Sequence, residues 1–347
     1  MANARVTIRE LARLSGVSVG TVSRALNGYP DVSDVTRARV VDLARQLDYT
    51  PAAAARTLVL ERSHLIGVFL ETGEGHPDLQ HPFFHGVLVG VKERLGAAGY
   101  DLLLFAREQP ADGIGSDAYL TRSRHHNVDG VILMGIDPLD EEVARLLASE
   151  IPCVAVDIEL QGAHAAHVIS DNITGSALAV RHLADLGHRR IATITGMLAT
   201  HPGRDRLRGY REEMQRCGLD YRDEYVADGD YYFDSGVAAT SRLLALDEPP
   251  TAVFAASDLM ALGAIRAATE AGLRIPDDLS VIGFDDIPWA EHASPPLTTL
   301  RQDKHGLGTA AGEALLRQLD GSEEAPRGQK LAVELQVRGT TAPPREG

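Results

Sequence analysis

The sequence predicts an N-terminal all-α helix-turn-helix head, followed by an α/β core of two doubly wound lobes. Three observations lead there. Residues 7–27 carry two short helical patterns separated by Ser15-Gly16-Val17. From Leu65 onward, short β-branched or leucine-rich runs alternate with amphipathic helices, the signature of a parallel, doubly wound sheet. That alternation comes as two series in tandem, which implies two similar lobes.

In the head, Thr7 with Glu10 three residues later forms a capping box: the threonine hydroxyl accepts from one orphan amide and the glutamate reaches back to another. Leu11 and Leu14 are expected to supply the apolar side of this first helix. Gly16 stands where the chain reverses, and Ser18 is placed to cap a second helix whose Val22, Ala25 and Leu26 face inward. Its outward residues are Ser18, Val19, Gly20, Thr21, Ser23, Arg24 and Asn27. Small residues let such a helix settle deep in a DNA major groove, hydroxyls reach phosphates, and the Arg24 guanidinium fits a guanine edge. A third amphipathic helix, from about Ser33 to Leu47, closes the head before Tyr49-Thr50-Pro51. The predicted division is a DNA-binding domain at 1–50, a hinge or linker at 51–63 and the two-lobed core at 64–347.

In the core, strands are expected at 65–70, 101–105, 130–134 and 153–157, with helices near 83–98, 115–126 and 139–149. A second series has strands at 190–195, 225–228, 252–255 and 280–284, with helices near 172–187, 204–217, 235–245 and 257–272. Leu300 and a tail strand from Leu331 to Val337 complete the arrangement. The lobes are expected at 64–168 plus 288–303 and at 169–287 plus 304–340, with the chain crossing between them more than once. Ligands of open α/β sheets lie beyond the carboxyl ends of the strands, here in the cleft between lobes. Asp157 and Asp285 end strands, Arg204 opens a helix after another, and Phe83, Phe84 and Tyr231 to Phe233 follow strand ends. Carboxylates and a guanidinium pair with neighbouring hydroxyls, and aromatic faces cover the apolar face of a sugar ring.

Charge separates the two regions. Residues 1–62 hold nine arginines, no lysine and six acids, a net +3, whereas the remaining 285 residues carry a net −18. An acidic body repels DNA, but screening over roughly 8 Å leaves a basic head able to act locally. The same imbalance argues against a protein that coats nucleic acid indiscriminately. No apolar run is long enough for a membrane span and Met1 leads into polar residues, so no membrane partner and a cytoplasmic, nucleoid-associated location are expected. Cys153 and Cys217 lack metal spacing and read as reduced structural thiols. Arginine outnumbers lysine 31 to 3, a bias of GC-rich coding.

The run V-T-I-R-E-L-A-R-L-S-G-V-S-V-G-T-V-S-R-A-L-N-G from Val6 is joined by L-G-H-R-R-I-A at 186–192 and A-S-D-L-M-A-L-G-A at 256–264. V-I-G-F-D-D at 281–286 and P-P-L-T-T-L at 295–300 follow. Together they resemble the lactose and galactose repressor (LacI/GalR) family over essentially the whole chain. The resemblance implies a homodimeric bacterial transcription regulator with a core like periplasmic sugar-binding proteins and a head on a pseudo-palindromic double-stranded DNA operator. It implies a small-molecule effector, a sugar, that releases the protein from DNA. Arg24 falls on the family's base-reading arginine, Val19 and Gly20 on its variable specificity positions, and Ala52 to Leu58 on its hinge helix. Leu58 falls on the residue wedged into the minor groove, and Thr7 and Ala55 complete the residues expected at DNA. The effector contacts are expected from Phe83, Phe84, Asp157, Arg204, Tyr231, Ser257 and Asp285. Three departures stand out. Val19-Gly20 has no long polar side chain, Ser257 replaces an asparagine common in the family, and no leucine heptads follow Val337, which predicts a dimer.

The hinge, at seven residues, is below the ~12–15 that an isolated helix needs in water, so it is expected to fold only against its dimer mate on DNA. No phosphate loop, zinc pair or nucleophile turn is present, so no enzymatic activity, cofactor or metal is expected. Two alternatives fit parts of the chain. A solute-binding protein for a transporter fits the core but not the head. A regulator sensing a purine or an amino acid would favour stacking with fewer carboxylates.

Overall fold

The computed structural model describes residues 6–26, 29–49, 62–70, 81–106, 118–322 and 328–345. Two compact units divide the chain, Met1–His64 and Leu65–Gly347.

The first unit holds α1 (Ile8–Ser15), α2 (Val19–Leu26) and α3 (Asp34–Gln46). Thr7 caps α1, its hydroxyl accepting from the Glu10 amide at 3.3 Å. The Glu10 carboxylate does not complete the expected box but lies 3.7 Å from Arg13. Gly16, at φ 67°, ends α1 in the left-handed region that glycine adopts at no steric cost. Ser18 caps α2 through the Thr21 amide at 3.1 Å. Leu11, Ala12, Val22, Ala25, Val32, Val40 and Ala44 form the core, small enough for three short helices to close together. Leu14 was expected there and is 46% exposed. The inward stripe of α1 is Leu11, Ala12 and Ser15, whose hydroxyl donates back to the Leu11 carbonyl at 2.7 Å, and Leu14 lies off that stripe.

In the second unit, β1 (Leu65–Leu70), β2 (Asp101–Phe105), β3 (Gly130–Met134), β4 (Cys153–Val156) and β5 (Ala165–Ser170) alternate with α4 (Pro82–Ala97), α5 (Ala118–His125) and α6 (Glu141–Leu147). Then come α7 (Asn172–Asp185), β6 (Ile191–Ile194), α8 (His201–Arg216), β7 (Val226–Ala227), α9 (Phe233–Leu244), β8 (Ala252–Ala255), α10 (Asp258–Glu270) and β9 (Ser280–Asp285). The chain ends with α11 (Pro288–His292), β10 (Thr298–Gln302), α12 (Lys304–Leu319), β11 (Gly328–Leu331) and β12 (Val333–Gln336). One sheet runs β11-β5-β4-β3-β1-β2 and the other β12-β10-β9-β8-β6-β7. Every pairing is parallel except β10 with β12. Strands β3 and β9 are buried along their whole lengths, as parallel strands covered on both faces must be.

The lobes are therefore 65–170 with 304–331, and 171–302 with 333–345. This corrects the expected partition, which exchanged the two C-terminal segments. β10 pairs in parallel with β9, Thr298 opposite Ile282, so it belongs to the second lobe. α12 packs on α4, which a glycine pair allows. A Cβ on Gly308 would meet the Val87 carbonyl, and one on Gly90 the His305 carbonyl. The expected tail strand is two strands: β11 pairs with β5, and β12 with β10. β5 and α12 had no counterpart in the sequence reading. The chain crosses at Asp171, Asp303 and Ala332. The two aspartates cap α7 and α12 with matching backbones, φ/ψ −76°/74° and −76°/75°. Among the described residues no helix is long and apolar enough to cross a membrane. Both cysteines are free, and burial pushes the Cys153 thiol up to about 12.

Candidate functional site

The carboxyl ends of both sheets face one cavity of about 340 Å³. The first lobe lines it with His81, Phe83 and Phe84 at the start of α4, with Tyr119, with Gly135 to Pro138 and Asp140 after β3, and with Asp157 after β4. The second lobe adds Met197 and Ala199 to Pro202 after β6, Arg206 from α8, Tyr231 and Tyr232, Asp285 at the end of β9 and Gln302 at the end of β10.

Arg206 is the centre of its polar side, 3% exposed. Its Nε donates to Asn172 Oδ1 at 2.8 Å and its Nη1 to the Ala256 carbonyl at 2.6 Å. Nη1 lies 3.9 Å from Asp285 Oδ1, and the guanidinium stacks 3.8 Å from the Phe284 ring centroid. A buried guanidinium needs such neighbours, because burying a charge is costly unless it is paired and hydrogen-bonded. Gln302 donates to Asp285 Oδ1 at 2.6 Å. Burial pushes the Asp157 carboxyl above the usual carboxylate range, against the pull of Arg206. Four buried polar atoms of this lining have neither a hydrogen-bond nor an ion-pair partner among the described residues: Asp157 Oδ1, Asp285 Oδ2, Gln302 Oε1 and His81 Nε2. Since buried polar atoms are normally paired, their convergence on one cavity marks a place for a polar molecule. Burial also lowers the pKa of His81, favouring the neutral ring.

Rings wall the rest. Phe83 and Phe84 pack edge to face at 5.3 Å, and His81 meets Tyr232 at 5.5 Å. The Tyr231 hydroxyl bonds Thr200 Oγ1 at 2.8 Å, and burial pushes its pKa up to about 12. Its ring lies over Gly196, where any Cβ would strike it.

Of the seven residues expected here, Phe83, Phe84, Asp157, Tyr231 and Asp285 line the cavity, and Arg204 and Ser257 do not. α8 begins at His201, so Arg204 falls on its outer side and donates to the Ala199 carbonyl at 2.6 Å. Two residues on, about 200° around the helix, Arg206 points inward. Ser257 caps α10, accepting from the Met260 amide, and donates to the Tyr231 carbonyl at 2.8 Å. It holds Tyr231, at φ 76°, rather than a ligand. Neighbouring Asp258, wholly buried, accepts from the Thr299 hydroxyl and from the Ile287 amide at 2.8 Å. Burial, with the charge of Asp285, pushes it up to about 7. His81, Asp137, His201 and Gln302 escaped the sequence reading; the run ending at Leu300 marks Gln302 only once it is known to be a strand. Among the described residues no cluster of His, Cys, Asp or Glu is arranged to hold a metal ion.

On the head, Val19, Gly20 and Arg24 lie exposed along α2, with Thr21 and Ser23 half-buried beside them and Thr7 exposed at the start of α1. A Cβ on Gly20 would meet only Ser18 Oγ at 3.8 Å, so larger residues fit there. Arg24 Nη1 lies 3.1 Å from Asp31. Arg37 ties the turn before α3, donating to the Tyr29 carbonyl at 2.6 Å. Asn27, Ala55 and Leu58 lie outside the described residues.

Residues 7–52 match the model of bacterial regulatory proteins of the lacI family, and residues 180–341 match the periplasmic binding protein-like domain. The HTH-type transcriptional regulator CelR of Thermobifida fusca is 36% identical over 337 residues, 96% of this chain and 98% of that protein. A CelR–cellobiose complex superposes with a TM-score of 0.73 at 34% identity, covering 97% of this chain and all of that one. The lac repressor dimer bound to operator and the anti-inducer ONPF superposes with a TM-score of 0.85 at 31% identity, covering 98% of this chain and 100% of that chain.

Proposed function

Because this chain belongs to the lacI family of bacterial regulatory proteins and is a DNA-binding transcriptional regulator, we propose that it represses carbohydrate-utilisation genes and leaves its operator when a sugar fills the cavity. It acts as a homodimer in the cytoplasm, at the nucleoid. One observation carries the choice of ligand. Asp157 Oδ1, Asp285 Oδ2 and Gln302 Oε1 are buried acceptors without partners beside a single guanidinium. A ring of adjacent hydroxyls supplies several donors at once, and its apolar face lies against Phe83, Phe84 or Tyr231. A purine offers fewer donors, and among the described residues of the lining an anion meets four carboxylates, of Asp137, Asp140, Asp157 and Asp285, against one Arg206. The cellobiose bound to the relative CelR makes that disaccharide the first ligand to try.

The test is a thermal-shift screen of the full protein against cellobiose, other mono- and disaccharides, purines and amino acids. A ligand at 100 times its Kd stabilises by about 2.7 kcal/mol. A sugar that raises Tm and loosens operator binding supports the reading; a purine that does so while no sugar does overturns it. At the DNA, Arg24 reads a guanine in each half-site. Arg24→Ala is expected to cost about 1–3 kcal/mol on the selected operator and to relax preference at that base, as binding-site selection with both proteins measures.

A further inference from the structure

In a chain that uses arginine 31 times and lysine three times, one lysine sits where the backbone re-enters the first lobe. Lys304 is the first residue of α12. Its stem lies against α4, so close that a Cβ on Gly86 would stand 2.8 Å from Lys304 Cβ. Its ammonium reaches into the second lobe, donating to the carbonyl oxygen of Asp285 and, at 3.0 Å, to that of Asp286. Those residues close β9 at φ 125° and 54°, conformations that residues with a Cβ keep only where the surroundings hold them. The Asp286 carboxylate is already engaged by Arg301 at 2.6 Å and Arg338 at 2.7 Å, so the ammonium meets carbonyls and not a carboxylate.

We propose that Lys304 is a positioning residue: from the first lobe it holds the Asp285–Asp286 turn of the second, aims the Asp285 carboxylate into the cavity and ties the lobes together. The proposal rests on reading the cavity as the effector site. Asp285 is then fixed through its carbonyl by Lys304 and through Oδ1 by Gln302, leaving Oδ2 for a ligand. The choice of lysine follows from shape. A compact ammonium directs its donors at two adjacent carbonyls, whereas a planar guanidinium fork matches a carboxylate.

Hydrogen exchange by mass spectrometry on the full-length protein tests this without a ligand. Lys304→Met and Lys304→Arg are both expected to speed exchange at the amides of Asp286, Ile287, Trp289 and Ala290 about tenfold, through the loss of charge-assisted hydrogen bonds to the turn, while β6 and β8 exchange as in the wild type. Wild-type exchange in that segment for Lys304→Met, or full restoration by Lys304→Arg, overturns the proposal. Calorimetry with cellobiose on the same variants and on Arg206→Ala separates the two readings. Cellobiose affinity is expected to fall about tenfold in Lys304→Met. Unchanged affinity there with binding lost in Arg206→Ala removes Lys304 and keeps the cavity. No binding to the wild type removes the cellobiose reading and leaves the exchange result to decide on Lys304.

Discussion

The two lobes share a strand order and a helix arrangement, yet they bring different chemistry to the cavity between them. The first lobe supplies the rings of His81, Phe83, Phe84 and Tyr119 and the carboxylates of Asp137, Asp140 and Asp157. The second supplies the buried guanidinium of Arg206, the Asp285 carboxylate and the Gln302 amide, with the rings of Tyr231 and Tyr232 beside them. The shared topology explains why both sets meet, since parallel strands aim their carboxyl ends at the cleft. It does not explain the division of labour. That depends on interior support: Asn172, Ala256 and the Phe284 face surround the buried Arg206 guanidinium, and the first lobe shows no equivalent nest among its described residues. One architecture thus presents a wall of rings and carboxylates and a wall built around one buried guanidinium to the same ligand.

The largest expected effect breaks the wall built around Arg206. Arg206→Ala removes one side of a buried pair, and about 3–5 kcal/mol of stability is expected to go with it, along with sugar binding. Urea unfolding and calorimetry measure both. Arg204→Ala, exposed and two residues away, is expected to stay within about 0.5 kcal/mol; equal losses for the two would return the site to Arg204. Next comes the comparison of packing. Gly308 on α12 touches α4 through the Val87 carbonyl, and Gly263 on α10 touches α9 through the Phe233 carbonyl. Alanine at either is expected to cost about 1–3 kcal/mol by overpacking. Unequal costs in thermal unfolding would show that the twin helix pairs are not equally close.

A pH measurement addresses the second lobe alone. Asp258 has a folded pKa of about 7 against the ordinary 3.8, so between those values the folded chain holds a proton that the unfolded chain has released. Its contribution to stability is therefore greatest below pH 3.8 and declines as pH rises towards 7. Asparagine fits the same two partners without titrating. The stability of Asp258→Asn relative to wild type is expected to climb across that window, by at most about 1.4 kcal/mol per pH unit, in urea melts at fixed pH steps. A flat difference would mean that Asp258 is ionised throughout. The smallest effect belongs to the aromatic wall. Phe84→Ala is expected to weaken sugar binding by about 0.5–1.5 kcal/mol while leaving Arg206 and its partners in place, as calorimetry on the full protein would read.

The local signals that the chain determined by itself were those carried by near neighbours. Thr7, Gly16, Ser18 and Ser33 marked the head's helix ends because caps and left-handed turns depend on a few adjacent residues. The buried strands 65–70, 130–134 and 252–255 were legible because a parallel strand covered on both faces is a continuous apolar run. Asp157, Asp285, Phe83, Phe84 and Tyr231 were found at the cavity because strand ends can be located from such runs. Tertiary structure decided the rest. Which lobe takes β10 and α12 depends on pairing between segments far apart in sequence, and the glycines that weaken α12 as a local helix signal are what let it press against α4. The choice of Arg206 over Arg204 was set by helix phase, since a start three residues earlier than expected turns one arginine outward and the other in. No local signal marks Lys304, and only the crossing at Asp303 brings its ammonium to the Asp285 carbonyl, because that contact joins two lobes whose meeting no local pattern records.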